Sequence, residues 1–260
     1  MGLKINIIGM GVMGYQTSAL FYLLGYQVAV HSRIGFDDKK FNRQVKILNK
    51  FIGKFKSAPI DVKICNDISE IYDACTIEAT IEDIATKKFL YDSVHKITKK
   101  TFLTNTSSIE PREIGEKAVG LHFFNPIHLK LIELSNGQNQ SEELDQIVFD
   151  LKSVGFEVIN VKENRGYLAN YLLFNEIGGI MKLIELYGYS YESIQVMYRH
   201  LYNGRNIFSV LDLIGLDVAL KIFQNLNEND ASVYIPVSLD KAIKLGILGK
   251  KNKTSILDIL

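Results

Sequence analysis

Tryptophan is absent from these 260 residues, cysteine occurs twice and proline four times. Cys65 and Cys75 are too few for a disulfide framework and lack metal-ligand spacing, so no metal site is expected. Both suit a reducing cytosol as small buried hydrophobes. So few prolines leave no Pro-rich linker. Charge of one sign is lacking as well: 30 lysines and arginines meet 29 aspartates and glutamates, for a formal charge of +1. That balance removes the bulk electrostatic case for nucleic acid or an acidic membrane as partner and favours a small molecule. No apolar run approaches membrane-spanning length. Met1 leads straight into a strand-like segment without a charged leader, apolar stretch and cleavage site, so a soluble, cytoplasmic chain is expected.

What remains is an ordinary globular composition, 47% apolar and 23% charged. A mass of 29.4 kDa is enough for one large or two modest domains. The first part alternates short β-branched runs with longer amphipathic stretches, the pattern of a doubly wound, mostly parallel α/β sheet. Strands are predicted at Lys4–Ile8, Gln27–His31, Val62–Cys65, Thr76–Thr80, Phe102–Thr104, Gly120–Phe123, Lys130–Leu134 and Glu157–Val161. The alternation then stops. Helical patterns follow at Tyr167–Leu186, Tyr191–Tyr202, Ser209–Leu213, Val218–Leu226 and Leu239–Leu245. The spacing predicts a sheet domain over 1–162 and an all-helical domain over 163–260, divided at the polar turn Lys162 to Gly166.

The first strand runs into Gly9-Met10-Gly11-Val12-Met13-Gly14 and then a helical stretch. In that context G-x-G-x-x-G has a mechanical meaning. Gly9 permits the tight turn, Gly11 lets a pyrophosphate approach the backbone, Gly14 lets helix and strand pack closely, and the amides around Val12 and Met13 present donors and a positive dipole. A dinucleotide is expected there. The acid that normally follows the second strand, about 20 positions on, and binds the ribose hydroxyls is missing. Ser32-Arg33 stands in its place. A hydroxyl and a guanidinium suit a 2′-phosphate, which favours NADP over NAD as cofactor, with NAD the alternative if Arg33 is only a solvated loop residue.

Asn105-Thr106-Ser107-Ser108, His122 and Glu133 gather at or beside strand ends, the edge where open α/β sheets bind ligands. A histidine there can serve as general base, and a carboxylate on its second ring nitrogen would fix its tautomer. A satisfied core histidine and a lone structural glutamate account for the same spacing equally well.

The runs Asn105-Thr106-Ser107-Ser108, Leu121-His122-Phe123-Phe124-Asn125-Pro126, Leu131-Ile132-Glu133-Leu134 and Gly166-Tyr167-Leu168-Ala169-Asn170 closely resemble, in that order, the motifs of the 3-hydroxyacyl-CoA dehydrogenase family. The likeness extends to Ile77-Glu78-Ala79, to Asp212-Leu213-Ile214-Gly215-Leu216-Asp217 and to Gly246 through Lys251. It implies an enzyme passing hydride between a nicotinamide and C3 of a 3-hydroxyacyl or 3-oxoacyl thioester. His122 would move the hydroxyl proton, Glu133 would orient it, and Ser107 and Asn170 would bind the reacting oxygen in a cleft between the domains. Ala79, Glu82, Lys87, Ser107 and Lys251 would flank the cofactor, while Asn125 would shape the turn after His122. The resemblance also implies a Rossmann-type domain followed by a helical domain through which two subunits pair.

The chain departs from that pattern in several places. His122 and Glu133 stand one residue closer than in the family, a change expected in the loop at Ile127-His128. The family's Pro-Gly-Phe is Arg165-Gly166-Tyr167, the arginine after its asparagine is Tyr171, and Asn203 through Phe208 shortens a Gly- and Pro-rich segment. The tail from Lys250 to Ser255 lacks the family's glycines and aromatics. A basic stripe, Lys39, Arg43, Lys46, Lys50 and Lys54, recurs at helical spacing opposite Phe41, Val45, Leu48, Ile52 and Phe55. It reads as a solvated face, or as a dock for phosphate on coenzyme A or on an acyl carrier protein. The rival readings are an NADP-dependent 3-hydroxyacid dehydrogenase acting on a free acid, which would ordinarily use a catalytic lysine, and a nucleotide-binding sensor or scaffold without turnover.

Overall fold

The computed structural model describes residues 3–52, 62–135, 141–162 and 165–260; Lys54 of the basic stripe and Phe55 of the apolar positions opposite it lie outside them. The chain divides into two compact units, Met1–Tyr167 and Leu168–Leu260.

The first unit runs β1 (Lys4–Ile8), α1 (Val12–Leu23), β2 (Gln27–His31), α2 (Asp38–Ile52), β3 (Lys63–Cys65), β4 (Thr76–Glu78), α3 (Ile84–Ile97), β5 (Phe102–Thr104), α4 (Pro111–Ile114), β6 (Ala118–Phe123), β7 (Leu131–Ser135), α5 (Glu142–Ser153) and β8 (Glu157–Val161). The strands form one sheet in the order β3-β2-β1-β4-β5-β6-β7-β8. Every pairing is parallel except β6 with β7. The order reverses between β1 and β4, which is where such sheets open a crevice beyond the carboxyl ends of their strands.

Period-2 alternation sorts the apolar side chains onto two faces. Ile5, Ile7, Val28, Val30, Val119, Leu121 and Phe123 pack with Leu20 of α1, Leu48 of α2 and Leu151 of α5. Ile8, Ala29, Phe102 and Ala118 pack with Leu90 and Val94 of α3 and Ile114 of α4. Helices therefore cover both faces. On α2, Phe41 and Leu48 are buried and Lys39, Arg43, Lys46 and Lys50 are exposed, so the stripe is a solvent-facing surface.

Several strand ends differ from the sequence expectation by one or two residues, and two of them for local reasons that the structure shows. β4 stops at Glu78 because the Glu78 carboxylate accepts the backbone N–H of Thr80 at 2.6 Å, as well as the Thr80 hydroxyl, and turns the chain out of the ladder. β7 starts at Leu131 because Lys130 is left-handed, with φ 57°.

The second unit comprises α6 (Tyr167–Tyr187, whose first residue belongs to the first unit), α7 (Tyr191–Leu201), α8 (Ile207–Ile214), α9 (Leu216–Asn229) and α10 (Val237–Lys244). Its core includes Phe174, Ile177, Met181, Phe208, Leu211, Phe223 and Leu226. α8 starts earlier than its apolar pattern suggests because the Asn206 side chain accepts the Ser209 N–H at 3.0 Å, an N-cap. Gly215, with φ +95°, then separates α8 from α9. Asp212 accepts the Ser255 hydroxyl at 2.6 Å and the Ile256 N–H at 2.8 Å, so this motif residue ties down the end of the chain. Among the described residues no helix is long and apolar enough to cross a membrane.

Candidate active site

A crevice of about 720 Å³ opens at the switch between β1 and β4, lined among others by Gly11, Met13, Ser32, Arg33, Thr80 and Asn105. The three loop glycines have different reasons to be there. Gly9 is left-handed (φ +96°), and a Cβ on it would lie 2.7 Å from the Ala79 carbonyl oxygen. A Cβ on Gly14 would lie 1.8 Å from the Gly9 carbonyl oxygen. Gly11 has nothing within 4 Å. The fold itself needs the first two, whereas Gly11 leaves open space at the crevice. Behind it, α1 starts with no side-chain cap at Gly11 and no acidic residue in its first turn. Its first amides lack intrahelical acceptors and could receive an anion without competition from an acidic side chain. This arrangement fits a dinucleotide pyrophosphate.

At the crevice rim, Ser32 and Arg33 follow the last residue of β2, and Arg33 is exposed. His31 presents Nδ1 to the Cys65 carbonyl at 3.0 Å. Among the described residues lining the crevice there is no carboxylate.

Behind the crevice, a buried charge network holds the loop after β5. Glu78 is fully buried and Lys87 is 1% exposed. The Lys87 ammonium donates to both Glu78 oxygens at 2.9 Å. Thr104 donates its hydroxyl to Glu78 at 2.7 Å, so this carboxylate is richly partnered, as a buried charge must be. Lys87 also lies 3.4 Å from Glu82. Glu82 Oε1 in turn accepts the N–H of Ser107 at 2.9 Å, the N–H of Ser108 at 2.8 Å and the hydroxyls of Thr106 and Ser108. Burial alone would raise the Glu82 carboxyl. The Lys87 ammonium and the hydrogen bonds from Thr106, Ser107 and Ser108 outweigh it and hold the group below its ordinary value. Lys87 is thus held by two carboxylates, Glu78 and Glu82, and adjoins the loop after β5 through Glu82. Sequence analysis gives Glu78 no role beyond its place in the run Ile77-Glu78-Ala79, whereas the structure makes it the centre of this buried network. The signal was present in a glutamate inside an apolar strand with a lysine nine residues on.

The loop is also fixed to β6, because Asn105 Oδ1 accepts the Phe123 N–H at 2.8 Å. At the end of β6 stands His122, paired across the antiparallel ladder with Glu133 of β7. The two side chains share a face, and His122 Nδ1 lies 2.8 Å from Glu133 Oε2. His122 is 7% exposed and Glu133 fully buried. If the carboxylate accepts in this contact, the ring hydrogen lies on Nδ1 and Nε2 could exchange a proton. A turn at Ile127–Leu129 and Lys130 joins the two strands. Gln16 of α1 anchors that turn, donating to Asn125 Oδ1 at 3.0 Å and accepting the Ile127 N–H at 2.7 Å. Asn125 thus shapes the turn. The structure brings Ser107, His122 and Glu133 into the first unit, on adjoining strand ends.

Asn170 and Lys251 belong to the second unit. Asn170 lies in the first turn of α6, and Lys251 is ion-paired with Asp217 at the start of α9. Among the described residues, no group of three or more His, Cys, Asp or Glu is placed to hold a metal ion.

Comparison with known proteins gives this geometry its relatives. Residues 4–164 match the model of the family described as "3-hydroxyacyl-CoA dehydrogenase, NAD binding domain". A 3-hydroxybutyryl-CoA dehydrogenase of Clostridioides difficile is 30% identical over 98% of this chain and 99% of its own. The mitochondrial hydroxyacyl-coenzyme A dehydrogenase of Homo sapiens is 26% identical over 95% of this chain and 88% of its own. In fold, the chain is similar to FadB2 of M. tuberculosis, with a TM-score of 0.81, 22% identity and coverage of 98% and 99%. An (S)-3-hydroxybutyryl-CoA dehydrogenase from Ralstonia eutropha gives a TM-score of 0.80, 22% identity and 98% coverage of each chain. With a family model spanning the sheet unit and a relative matched almost end to end, the chain belongs to the 3-hydroxyacyl-CoA dehydrogenase family.

Proposed function

We propose that this oxidoreductase exchanges hydride between a nicotinamide dinucleotide, NADP(H) in preference to NAD(H), and C3 of a 3-hydroxyacyl or 3-oxoacyl thioester. The observation that carries the proposal is the buried His122–Glu133 pair at 2.8 Å, set on the strand edge that also bears the Gly11 cradle and the Ser107 loop. In the oxidative direction, His122 Nε2 accepts the proton of the C3 hydroxyl while Glu133 stabilises the resulting imidazolium; in reduction His122 returns that proton to the forming alkoxide. Ser107, its loop held by Glu82, binds the reacting oxygen. A bound nicotinamide supplies or accepts the hydride. Gly9, Gly11, Val12, Met13 and Gly14 hold the pyrophosphate, with Ala79 at the crevice wall.

Ser32 and Arg33 take the 2′-phosphate of the adenosine ribose through a hydroxyl and a charge-assisted guanidinium contact. The exposed basic face of α2 receives phosphate of coenzyme A or of a carrier protein's phosphopantetheine arm. Exposed apolar residues on α6 and α7, such as Leu172, Leu186, Met197 and Leu201, support pairing of two copies through the helical unit. The two reduced thiols suit a cytosolic enzyme.

The test follows nicotinamide absorbance with acetoacetyl thioesters of coenzyme A and of acyl carrier protein, using NADPH and NADH. Wild type should turn over, and His122→Gln should lose about 10²–10⁴-fold in kcat while still binding NADPH. Arg33→Gln should weaken NADPH by about 10–100-fold, the equivalent of one lost charged hydrogen bond, and leave NADH unaffected. A wild-type enzyme that binds NADPH but is silent on both thioesters refutes the catalytic reading. Turnover far better with NADH refutes the assignment of Ser32 and Arg33.

A further inference from the structure

On the face of the sheet that carries the His122–Glu133 pair, the next cross-strand pair is Gly120 opposite Ser135, because residues two apart along a strand share a face. One side chain lies over both pairs. The ring of Tyr167 packs on the His122 imidazole, with centroids 5.6 Å apart and planes at 33°. Its hydroxyl reaches the bare Cα of Gly120, where a Cβ would meet Tyr167 Oη and Ser135 Oγ at 2.4 Å each. Phe124 approaches the same imidazole at 4.8 Å. Tyr167 is only 1% exposed and stands at φ 48° directly after left-handed Gly166. Side-chained residues rarely adopt that conformation, and it persists where surrounding structure dictates it. Here the backbone turn aims a large ring at one imidazole.

We propose that Tyr167 is a positioning residue for His122: its ring, seated by the phenol over the glycine face of Gly120, holds the imidazole in the rotamer that keeps Nδ1 on Glu133. The proposal rests on the reading of His122 as the proton-transfer group. The pocket is built from three sides, with Glu133 fixing one ring nitrogen and Phe124 and Tyr167 restricting how the ring can tilt. Gly120 is the complementary device, since any side chain there would evict the phenol.

The experiment compares Tyr167→Phe, Tyr167→Leu and Gly120→Ala with wild type, alone and combined with His122→Gln. It measures kcat, KM, NADPH affinity, the pH profile of kcat and the NMR titration of the His122 ring. Tyr167→Leu and Gly120→Ala should lower kcat by about 10–100-fold, the scale of a misplaced catalytic group. NADPH affinity should hold, and the basic-group limb of the pH profile should move together with the His122 titration. Tyr167→Phe, which keeps the ring and the fold, should restore most of the rate lost in Tyr167→Leu. In the His122→Gln background, Tyr167→Leu should cost nothing further. Full kcat with an unmoved pH profile in both Tyr167→Leu and Gly120→Ala overturns the proposal. So does an equal loss from Tyr167→Leu whether or not His122 is present. An unchanged rate in His122→Gln alone overturns the underlying catalytic reading instead, which separates the two failures.

Discussion

Replacing Lys87 with methionine removes the counter-charge of a glutamate that water cannot reach. Glu78 has no exposed surface, and its two bonds from the lysine ammonium are both 2.9 Å long. Methionine fills much of the same volume but donates nothing. The remaining donors, the Thr80 amide and hydroxyl and the Thr104 hydroxyl, solvate the carboxylate without neutralising it. Breaking such a buried pair from one side costs about 3–5 kcal/mol, which for a unit of this size lowers Tm by roughly 6–20 °C. The pair itself need not be worth that much, because most of the penalty belongs to the stranded charge. Glu78→Gln added to Lys87→Met should therefore recover at least half the loss: its amide oxygen still accepts from Thr80 and its amide nitrogen can donate to Thr104. The stranded carboxylate of the single variant binds a proton more readily folded than unfolded. Its deficit should accordingly shrink as pH falls toward the ordinary glutamate value, where the stranded group is protonated in the folded chain, and grow as pH rises above that value. Thermal and urea unfolding followed by far-UV circular dichroism measure both effects. A single variant within about 1 kcal/mol of wild type, or a double variant less stable than the single, would refute the reasoning.

The loop glycines make a sharp contrast. Gly14→Ala, whose Cβ would lie 1.8 Å from a carbonyl oxygen, should destabilise the first unit, while Gly11→Ala, open for 4 Å around, should unfold like wild type yet bind nicotinamide dinucleotide about tenfold or more weakly, as titrated by cofactor fluorescence. Glu82 gives a pH prediction. Its carboxyl is held below the ordinary value of 4.5 in the folded chain, so its contribution to stability is complete above that value and is lost as pH falls through the lower folded one. The stability gap between wild type and Glu82→Gln in urea should narrow on acidification through this window, and a gap independent of pH would contradict it. Glu185 of α6 supplies a control in the second unit. Burial opposes its ionisation, but donors from Tyr234, Val237 and Ser238 hold its carboxyl below the ordinary value. Glu185→Gln should show the same narrowing in the unfolding of the helical unit without altering NADPH affinity.

Much of this was legible in the chain because apolar periodicity and turn chemistry agree. Strands such as Lys4–Ile8, Gln27–His31 and Phe102–Thr104 stand where β-branched alternation puts them, and the glycines of the first loop announced the crevice. The spacing of His122 and Glu133 was ambiguous on its own; it becomes a contact because β6 and β7 are antiparallel and in register, a relation between backbones that linear order does not encode. The Glu78–Lys87–Glu82 network was hidden for a different reason. A charged residue in a strand looks the same whether it faces water or a buried partner, and only the packing of α3 on the sheet decides. The length of α8 was underestimated because its start depends on a cap by Asn206, one polar atom that an apolar pattern cannot reveal.

The facing of His122 and Glu133 is enforced by hydrogen bonds between backbones, not by the connection that joins them. The connecting turn could therefore change in length without moving either side chain. A slip of one position in the ladder would instead send the carboxylate to the opposite side of the sheet. The exposed Leu129 accordingly marks a place where an engineer could splice in a tether or a fused carrier, leaving the chemistry in the care of the strands.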